Sequence, residues 1–210
     1  MQTAGLAAEQ GPPRNRDATM ARILKAAAEL LAEDGFQNFG VNAVARRAGC
    51  DKQLIYRYYG GMDGLVDAIG GELARSIEEK MPVGGNAAFM LTYGDLIEHI
   101  MMLFMQALRD DSLTRRIISW EVSDNSPQVR RLSDARSQAL GLWIEKVRGT
   151  MPPPKGVDHA MLNAMLLAAV QHAVIAGATA QRFAGVALST GKDWDRAERA
   201  VRRLVRGVYP

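Results

Sequence analysis

The sequence has a single cysteine and few aromatic residues. Its 210 residues contain one Cys, at position 50, and only 6% Phe, Trp and Tyr. One cysteine excludes an intramolecular disulfide framework and fits a reducing compartment, so we expect a cytoplasmic protein. Because no resolving thiol is present, we expect Cys50 to fill the turn in which it lies, and the sequence leaves a redox role for it open.

The sequence also lacks the motifs that mark common active sites. It has no Gly-rich phosphate loop, no nucleophile elbow and no H-E-x-x-H pair. Glu98-His99 and Trp120-Glu121 contain acid and base groups, but neighbouring residues of a helix point about 100° apart. We therefore expect a protein that is not an enzyme, with no catalytic residue, no metal site and no cofactor.

Excess charge is scarce and local. The formal net charge is only +3, which excludes nucleic-acid binding through bulk charge alone. Residues 14–57 hold eight cations and five acids, so this segment accounts for the whole excess. At the N-terminus, residues 1–16 show no secretory signal and are expected to form a flexible arm.

One long uncharged run needs a membrane test. Residues 160–181 carry no formal charge over a length that nearly spans a bilayer. Asn163, Gln171 and His172 interrupt this run, and burying them in lipid would be costly. We therefore expect a helix buried within protein and no membrane partner.

Apolar spacing predicts three helices in the segment that follows the arm. The first ends near Gly35, and Val41, Val44, Ala45 and Ala48 form the apolar face of a second that stops at Gly49. Asp51 is placed to cap a third helix, on which Ile55 and Tyr59 point inward. This pattern is typical of a helix-turn-helix, whose second helix enters the major groove of DNA.

The outward side chains of this segment predict how it contacts DNA. Lys52 and Gln53, with Asn42 and Arg57, are suited to read base edges, and Leu54 to touch a thymine methyl group. Tyr56 and either Arg46 or Arg47 are better suited to phosphates, although a solvated face explains the two arginines equally well. Arg14 and Arg16 of the arm are weaker candidates for the minor groove. The predicted DNA-binding residues are Asn42, Arg46, Arg47, Lys52, Gln53, Leu54, Tyr56 and Arg57.

These residues resemble the TetR family of bacterial transcriptional regulators. The shared elements are A-x-x-L, G-F, V-x-x-[IV]-A, A-G and L-Y, which here are Ala27/Leu30, Gly35-Phe36, Val41/Val44-Ala45, Ala48-Gly49 and Ile55-Tyr56. The resemblance covers about a fifth of the chain. It departs from the family at Gly40, usually Thr, at Asp51 and Gln53, usually small, at Tyr58-Tyr59, usually His-Phe, and at Met62, commonly Lys. These departures predict an unusual operator preference.

In the rest of the chain the spacing of apolar residues predicts helices, and no strand pattern occurs. Apolar stripes and caps predict helices over about 62–80, 87–109, 111–122, 126–151, 157–183 and 193–208, the last capped by Asp193. The expectation is an all-α chain of about nine helices. It would comprise an N-terminal arm (1–16), a three-helix helix-turn-helix head (17–61) and a larger helical effector-binding and dimerisation domain (62–210).

The resemblance also implies partners. It implies a homodimer formed by the last two long helices, near 157–183 and 193–208, and a double-stranded DNA operator that is nearly palindromic. It further implies a small effector inside the body, which flexible methionines would make mainly apolar, although methionine at helical spacing is also typical of core filling. The candidate pocket residues are Tyr93, His99, Met101, Met105, Trp120, Met165 and His172.

The sequence therefore favours a regulator, with a repressor released by its effector as the leading hypothesis. The alternative is a helical protein–protein adaptor without specific DNA binding. The apolar stripes by themselves fit an adaptor as well as they fit a regulator. The exposed set of Lys52, Gln53, Tyr56 and Arg57 discriminates between the two, because an adaptor does not need these side chains at recognition-helix spacing.

Overall fold

The chain is all-α with an N-terminal helix-turn-helix, as expected. The computed structural model describes residues 13–80 and 90–209, and within them nine helices follow one another. Their bounds are α1 Pro13–Asp34, α2 Val41–Ala48, α3 Lys52–Tyr59, α4 Met62–Lys80, α5 Tyr93–Asp110, α6 Ser112–Glu121, α7 Pro127–Arg148, α8 His159–Thr179 and α9 Gly191–Val208.

Local signals explain most helix starts. Thr92, Asp111, Ser126, Asp158 and Thr190 each accept a hydrogen bond from a backbone N–H in the first turn of the helix that follows. Such side chains satisfy amide groups that have no partner inside the helix. The N-cap of α9 is therefore Thr190, and the expectation of Asp193 was wrong. Asp193 completes the cap from within the helix by accepting from the Thr190 N–H at 2.9 Å.

The structure corrects other boundaries. Helix α1 begins at Pro13, so residues 13–16 of the expected arm are helical, while residues 1–12 lie outside the described residues. The expected start of the fifth helix at 87 also lies outside them, and the described helix begins at Tyr93. Helix α8 ends at Thr179, four residues before the expected 183.

A short hairpin follows α8 where no strand was expected. β1 (Arg182–Phe183) pairs antiparallel with β2 (Val186–Ala187), with Phe183 opposite Val186. Two-residue strands are too short to show an alternating pattern, which is why the sequence did not reveal them.

Two clusters of buried side chains organise the molecule. The first cluster, which we call the head core, joins α1–α4 and also takes in Ile117 of α6 and Leu132 of α7. The second, the body core, lies along α5, whose Phe104, Met105 and Leu108 are at most 2% exposed, and is covered by α7, α8 and α9. Helix α4 runs from the head to the body and packs along α7. The head is therefore joined to the body by a shared core as well as by chain continuity.

Candidate nucleic-acid interface

The turn between α2 and α3 is built by backbone conformation and one cap. Gly49 ends α2 in the left-handed region at φ 61°, and its N–H donates to the carbonyls at the end of that helix. Two residues later, Asp51 accepts a hydrogen bond from the Gln53 N–H at 2.7 Å and so starts α3. Gly40, where the family usually has Thr, starts α2 without a side-chain hydrogen bond. The predicted helix, tight turn and second helix are present.

Helix α3 presents its first turn to solvent. Ile55 is fully buried in the head core, whereas Lys52, Gln53 and Arg57 are exposed and Tyr56 is 56% exposed. Leu54 is half-buried and packs against the head core, and its contact with a thymine methyl group stays a prediction. The exposed cation, amide, phenol and guanidinium share one surface, as the sequence spacing predicted.

A groove between α2 and α3 brings four of the predicted residues together. Asn42, Arg46, Lys52 and Gln53 line an open depression of about 460 Å³, with the thiol of Cys50 at its edge. Burial raises the pKa of the Cys50 thiol, which disfavours the reactive thiolate.

Arg47 is turned away from this groove. Its guanidinium donates to both carboxylate oxygens of Glu33 on α1, at 2.8 and 2.6 Å, and lies 3.9 Å from Glu29. The hydrogen bond from Arg47 lowers the pKa of Glu33, which keeps the pair ionised. These carboxylates compete with a phosphate for the Arg47 guanidinium, and a DNA contact of Arg47 stays a prediction.

The structure adds a residue that the sequence pattern did not single out. Tyr58 has two arginines near its ring, with the guanidinium carbon of Arg16 5.8 Å and that of Arg57 5.9 Å from the ring centre. Next to it, the Tyr59 hydroxyl donates to the Met20 carbonyl at 2.7 Å and so ties α3 to α1. The sequence offered one signal for this site, the Tyr58-Tyr59 pair where the family usually has His-Phe.

The candidate effector residues do not form one site. Met101 and Met105 are each 1% exposed and belong to the body core, and His99 is half-buried on the same helix. Tyr93 accepts a hydrogen bond from the Asn163 amide at 2.9 Å, and its ring meets that of Tyr209 at 5.2 Å. These four remain candidates for a site within the body.

The other three lie elsewhere, so the described residues do not bring all seven candidates together, and their role in binding an effector stays a prediction. Trp120 lies against Gly35, where a methyl group on the glycine would come within 2.9 Å of the indole, and so belongs to the contact of head and body. Met165 is 57% exposed on the outer face of α8, and the exposed ring of His172 meets that of Phe183 at 4.5 Å. Helical spacing could not show these positions, because each depends on how distant helices pack.

Helix α8 is also less buried than expected. By length and composition it is the one described helix that could cross a membrane, and only 22% of its apolar window is buried inside the chain. The sequence predicted a helix enclosed by protein. Among residues 13–80 and 90–209, nothing covers its outer face.

No cluster of metal-binding side chains occurs in the described part of the chain. Within residues 13–80 and 90–209, no three His, Cys, Asp or Glu side chains come together in a way that could hold a metal ion.

The fold and this surface define a class of protein, an all-α chain with a helix-turn-helix head on a helical body. Residues 23–69 match the family model described as bacterial regulatory proteins, tetR family. The resemblance to the TetR family that the sequence indicated is therefore confirmed over residues 23–69, which span most of the head and the start of α4.

Solved structures extend the likeness to the fold of the whole chain. A TetR family transcription regulator from Marinobacter aquaeolei VT8 is 14% identical, with a TM-score of 0.62 over 94% of this chain and 98% of that one. A TetR regulator from Rhodococcus sp. RHA1 is 17% identical, with a TM-score of 0.60 over 92% and 97%. The fatty acid degradation regulator FadR from Bacillus halodurans is 15% identical, with a TM-score of 0.62 over 90% and 98%. No curated protein matches this sequence.

Proposed function

We propose that this protein is a sequence-specific transcriptional regulator that binds a palindromic operator as a homodimer. The exposed first turn of α3 carries the proposal, because Lys52 and Gln53 present a cation and an amide beside the groove that Asn42 and Arg46 also line. Lysine donates to the acceptors of guanine, and glutamine pairs with both donor and acceptor of adenine. We propose Lys52, Gln53 and Asn42 as base-reading residues, and Arg46 and Tyr56 as phosphate contacts.

The repressor role and the effector are part of the same proposal. In this proposal the two heads of the dimer occupy an operator until a small molecule binds in the body and changes the distance between the heads. Met101, Met105, Tyr93 and His99 all lie on α5, the central helix of the body. An effector that inserts along α5 would meet thioethers and few charges, so we propose a mainly apolar ligand. A protein that acts in this way would be cytoplasmic.

Selection of bound sites from random duplex DNA tests the proposal. The wild type should enrich a palindrome, and the double variant Lys52→Ala/Gln53→Ala should lose it. The matched control is Arg130→Ala/Gln138→Ala, which removes the same kinds of side chain from the exposed surface of α7. This control should retain the palindrome.

A second measurement locates the base reading. Gln53→Ala alone should relax the preference at one base pair and cost about 1 to 3 kcal/mol against the correct base. If the folded wild type enriches no sequence with or without candidate effectors, the helical adaptor becomes the better interpretation.

A further inference from the structure

Two arginines from distant parts of the chain share one aromatic ring at the edge of α3. Arg16 is in α1 and Arg57 is in the last turn of α3, and both guanidinium carbons lie within 5.9 Å of the centre of the Tyr58 ring. Arginine stacks on aromatic faces while its N–H groups stay free to donate. The ring therefore gathers two cations without using their hydrogen-bonding capacity.

The charges of both arginines are unmatched. Among the described residues, neither Arg16 nor Arg57 has an ion-pair partner, although Arg47 of the same head is bound by Glu33 and Glu29. Two guanidinium groups near one ring make the local potential positive, which favours a bound anion. An oxyanion with several acceptor oxygens, such as a phosphate, suits this arrangement because arginine binds it through parallel N–H groups.

The scaffold under the pair is well anchored. The Tyr59 hydroxyl bonds to the Met20 carbonyl at 2.7 Å, and Ile55 is fully buried in the head core. These contacts hold the first half of α1, on which Arg16 lies, against α3. The two arginines are thus presented by two helices packed on one core.

Arg57 is also poorly placed to read bases. Helix-turn-helix proteins read base edges from the N-terminal part of the second helix. Arg57 lies four residues beyond Gln53, which is about 6 Å farther along the helix axis. Its guanidinium leans toward Tyr58, whose ring is half-buried at the edge of the exposed surface.

We propose that Arg16 and Arg57, held on the ring of Tyr58, form a clamp for one DNA-backbone phosphate beside each major-groove contact. The clamp sets the register of the head on the duplex and carries no sequence information. This inference rests on the proposed function, and it moves Arg57 from base reading to phosphate binding.

The salt dependence of DNA affinity tests the clamp. Affinity for the selected operator is measured by fluorescence anisotropy at several salt concentrations, for the wild type and for Arg16→Ala, Arg57→Ala, Tyr58→Leu and Tyr58→Phe. A variant that no longer neutralises the clamped phosphate should show a slope of log K against log salt that is shallower by about 0.9 per head, or about 1.8 for a two-headed complex. Both arginine variants should bind operator and unrelated DNA more weakly by the same factor, and Tyr58→Phe should behave as wild type because it keeps the ring.

Controls separate the clamp from general charge and from the proposed function. Lys25→Ala removes a cation from the same helix α1, where the ammonium is already near Glu29, and should leave the slope unchanged. Circular dichroism and thermal melting show whether each variant is folded. Unchanged slopes for Arg16→Ala and Arg57→Ala, with the palindrome still enriched, would reject the clamp and leave the regulator standing.

Three further results would reject the clamp. If Arg57→Ala changes the preferred base at one position, Arg57 is a base reader and the clamp is wrong. If Tyr58→Phe is as weak as Tyr58→Leu, the phenol hydroxyl is the important group instead of the ring, and the clamp as proposed is wrong. If the wild type binds no DNA sequence, the proposed function itself fails, and the clamp fails with it.

Discussion

Glu98 shows how a single side chain ties the body together. Its carboxylate is only 12% exposed and receives hydrogen bonds from Arg202 at 2.5 Å and from Arg206 at 2.9 Å. Burial by itself raises the pKa of Glu98, but the hydrogen bonds and charges of Arg206 and Arg202 together lower the pKa below its ordinary value. One carboxylate of α5 thus holds two turns of α9.

The lowered pKa predicts how stability depends on pH. A group with a lower pKa in the folded state adds stability above its unfolded pKa, about 4.3 for Glu, and loses that contribution as the pH falls through the folded value. Urea unfolding at pH 7 should therefore show Glu98→Gln to be less stable than the wild type by roughly 1 kcal/mol, because both arginines are partly solvated. The difference should shrink between pH 5 and pH 3.

Glu145→Gln is the matched control for this prediction. Glu145 also pairs with an arginine, Arg148, but its side chain is 63% exposed. Its replacement should change stability little at either pH, as is usual for surface ion pairs. A Glu98→Gln difference that grows as the pH falls would contradict a stabilising role for the ionised carboxylate.

Single residues were predictable from the sequence where their partners are near in the chain. Asp51 was expected to cap α3 and does so, because a cap needs only the next two or three amide groups. The ion pair of Arg47 was not predictable from the sequence, because its partner Glu33 lies fourteen residues earlier on another helix. The Arg16–Tyr58 contact is farther still along the chain, and no local pattern indicates it.

At the scale of elements, α4 has a close crossing with α7. A methyl group on Gly70 would come within 2.8 Å of the Ala135 Cβ and 2.9 Å of the Leu132 carbonyl oxygen. Arg131 strengthens the same crossing by donating to both carboxylate oxygens of Asp67 at 2.6 Å. The helix that links head and body is thus packed against α7 backbone to backbone.

Adjacent glycines of α4 give a paired prediction. Gly70→Ala should destabilise the protein by about 1 to 3 kcal/mol, because the added methyl group pushes the two helices apart. Gly71→Ala meets nothing within 4 Å and should stabilise by up to about 1 kcal/mol through helix propensity. Urea unfolding of the two variants measures the contrast, and equal effects would show that the crossing is not tight.

Helix starts were easier to predict than helix ends. Helices were expected from 111 and from 126, and α6 and α7 begin directly after Asp111 and Ser126, which cap them. The end of α8 was missed because Gln181, two residues beyond it, adopts a φ of 58°, and Ala184 in the hairpin turn adopts a φ of 49°, although neither is glycine. Residues of this kind rarely adopt a positive φ, so their sequence indicated a longer helix.

At the scale of the whole molecule, the outer face of α8 and the elements beside it expose several large apolar side chains to solvent. Met161 and Met165 are 55% and 57% exposed, and Phe183 and Val186 of the hairpin are 53% and 46% exposed. Leu204 on α9 is 54% exposed as well. Apolar side chains concentrated on neighbouring elements commonly mark a protein contact. The proposed homodimer would bury this surface, because a two-fold axis would set the patch of one copy against the same patch of the other.

A charge placed in the middle of this surface should break the proposed dimer. Met165→Glu would place one carboxylate from each copy in the proposed contact without an added cation, and both carboxylates would lose water on association. Size-exclusion chromatography with light scattering should then show a dimer for the wild type and a monomer for Met165→Glu at micromolar concentration. The control is Leu142→Glu, which adds the same charge at a 69% exposed site on α7.

DNA binding should follow the oligomeric state in these variants. Two recognition helices must lie about one DNA turn apart, roughly 34 to 36 Å, to bind both half-sites of a palindrome. Separated heads lose that linkage, so Met165→Glu should keep its fold and bind a half-site weakly while the Leu142→Glu dimer binds the full operator. A monomeric wild type, or a Met165→Glu variant that remains dimeric, would move the dimer contact away from α8 and leave its outer face to another partner.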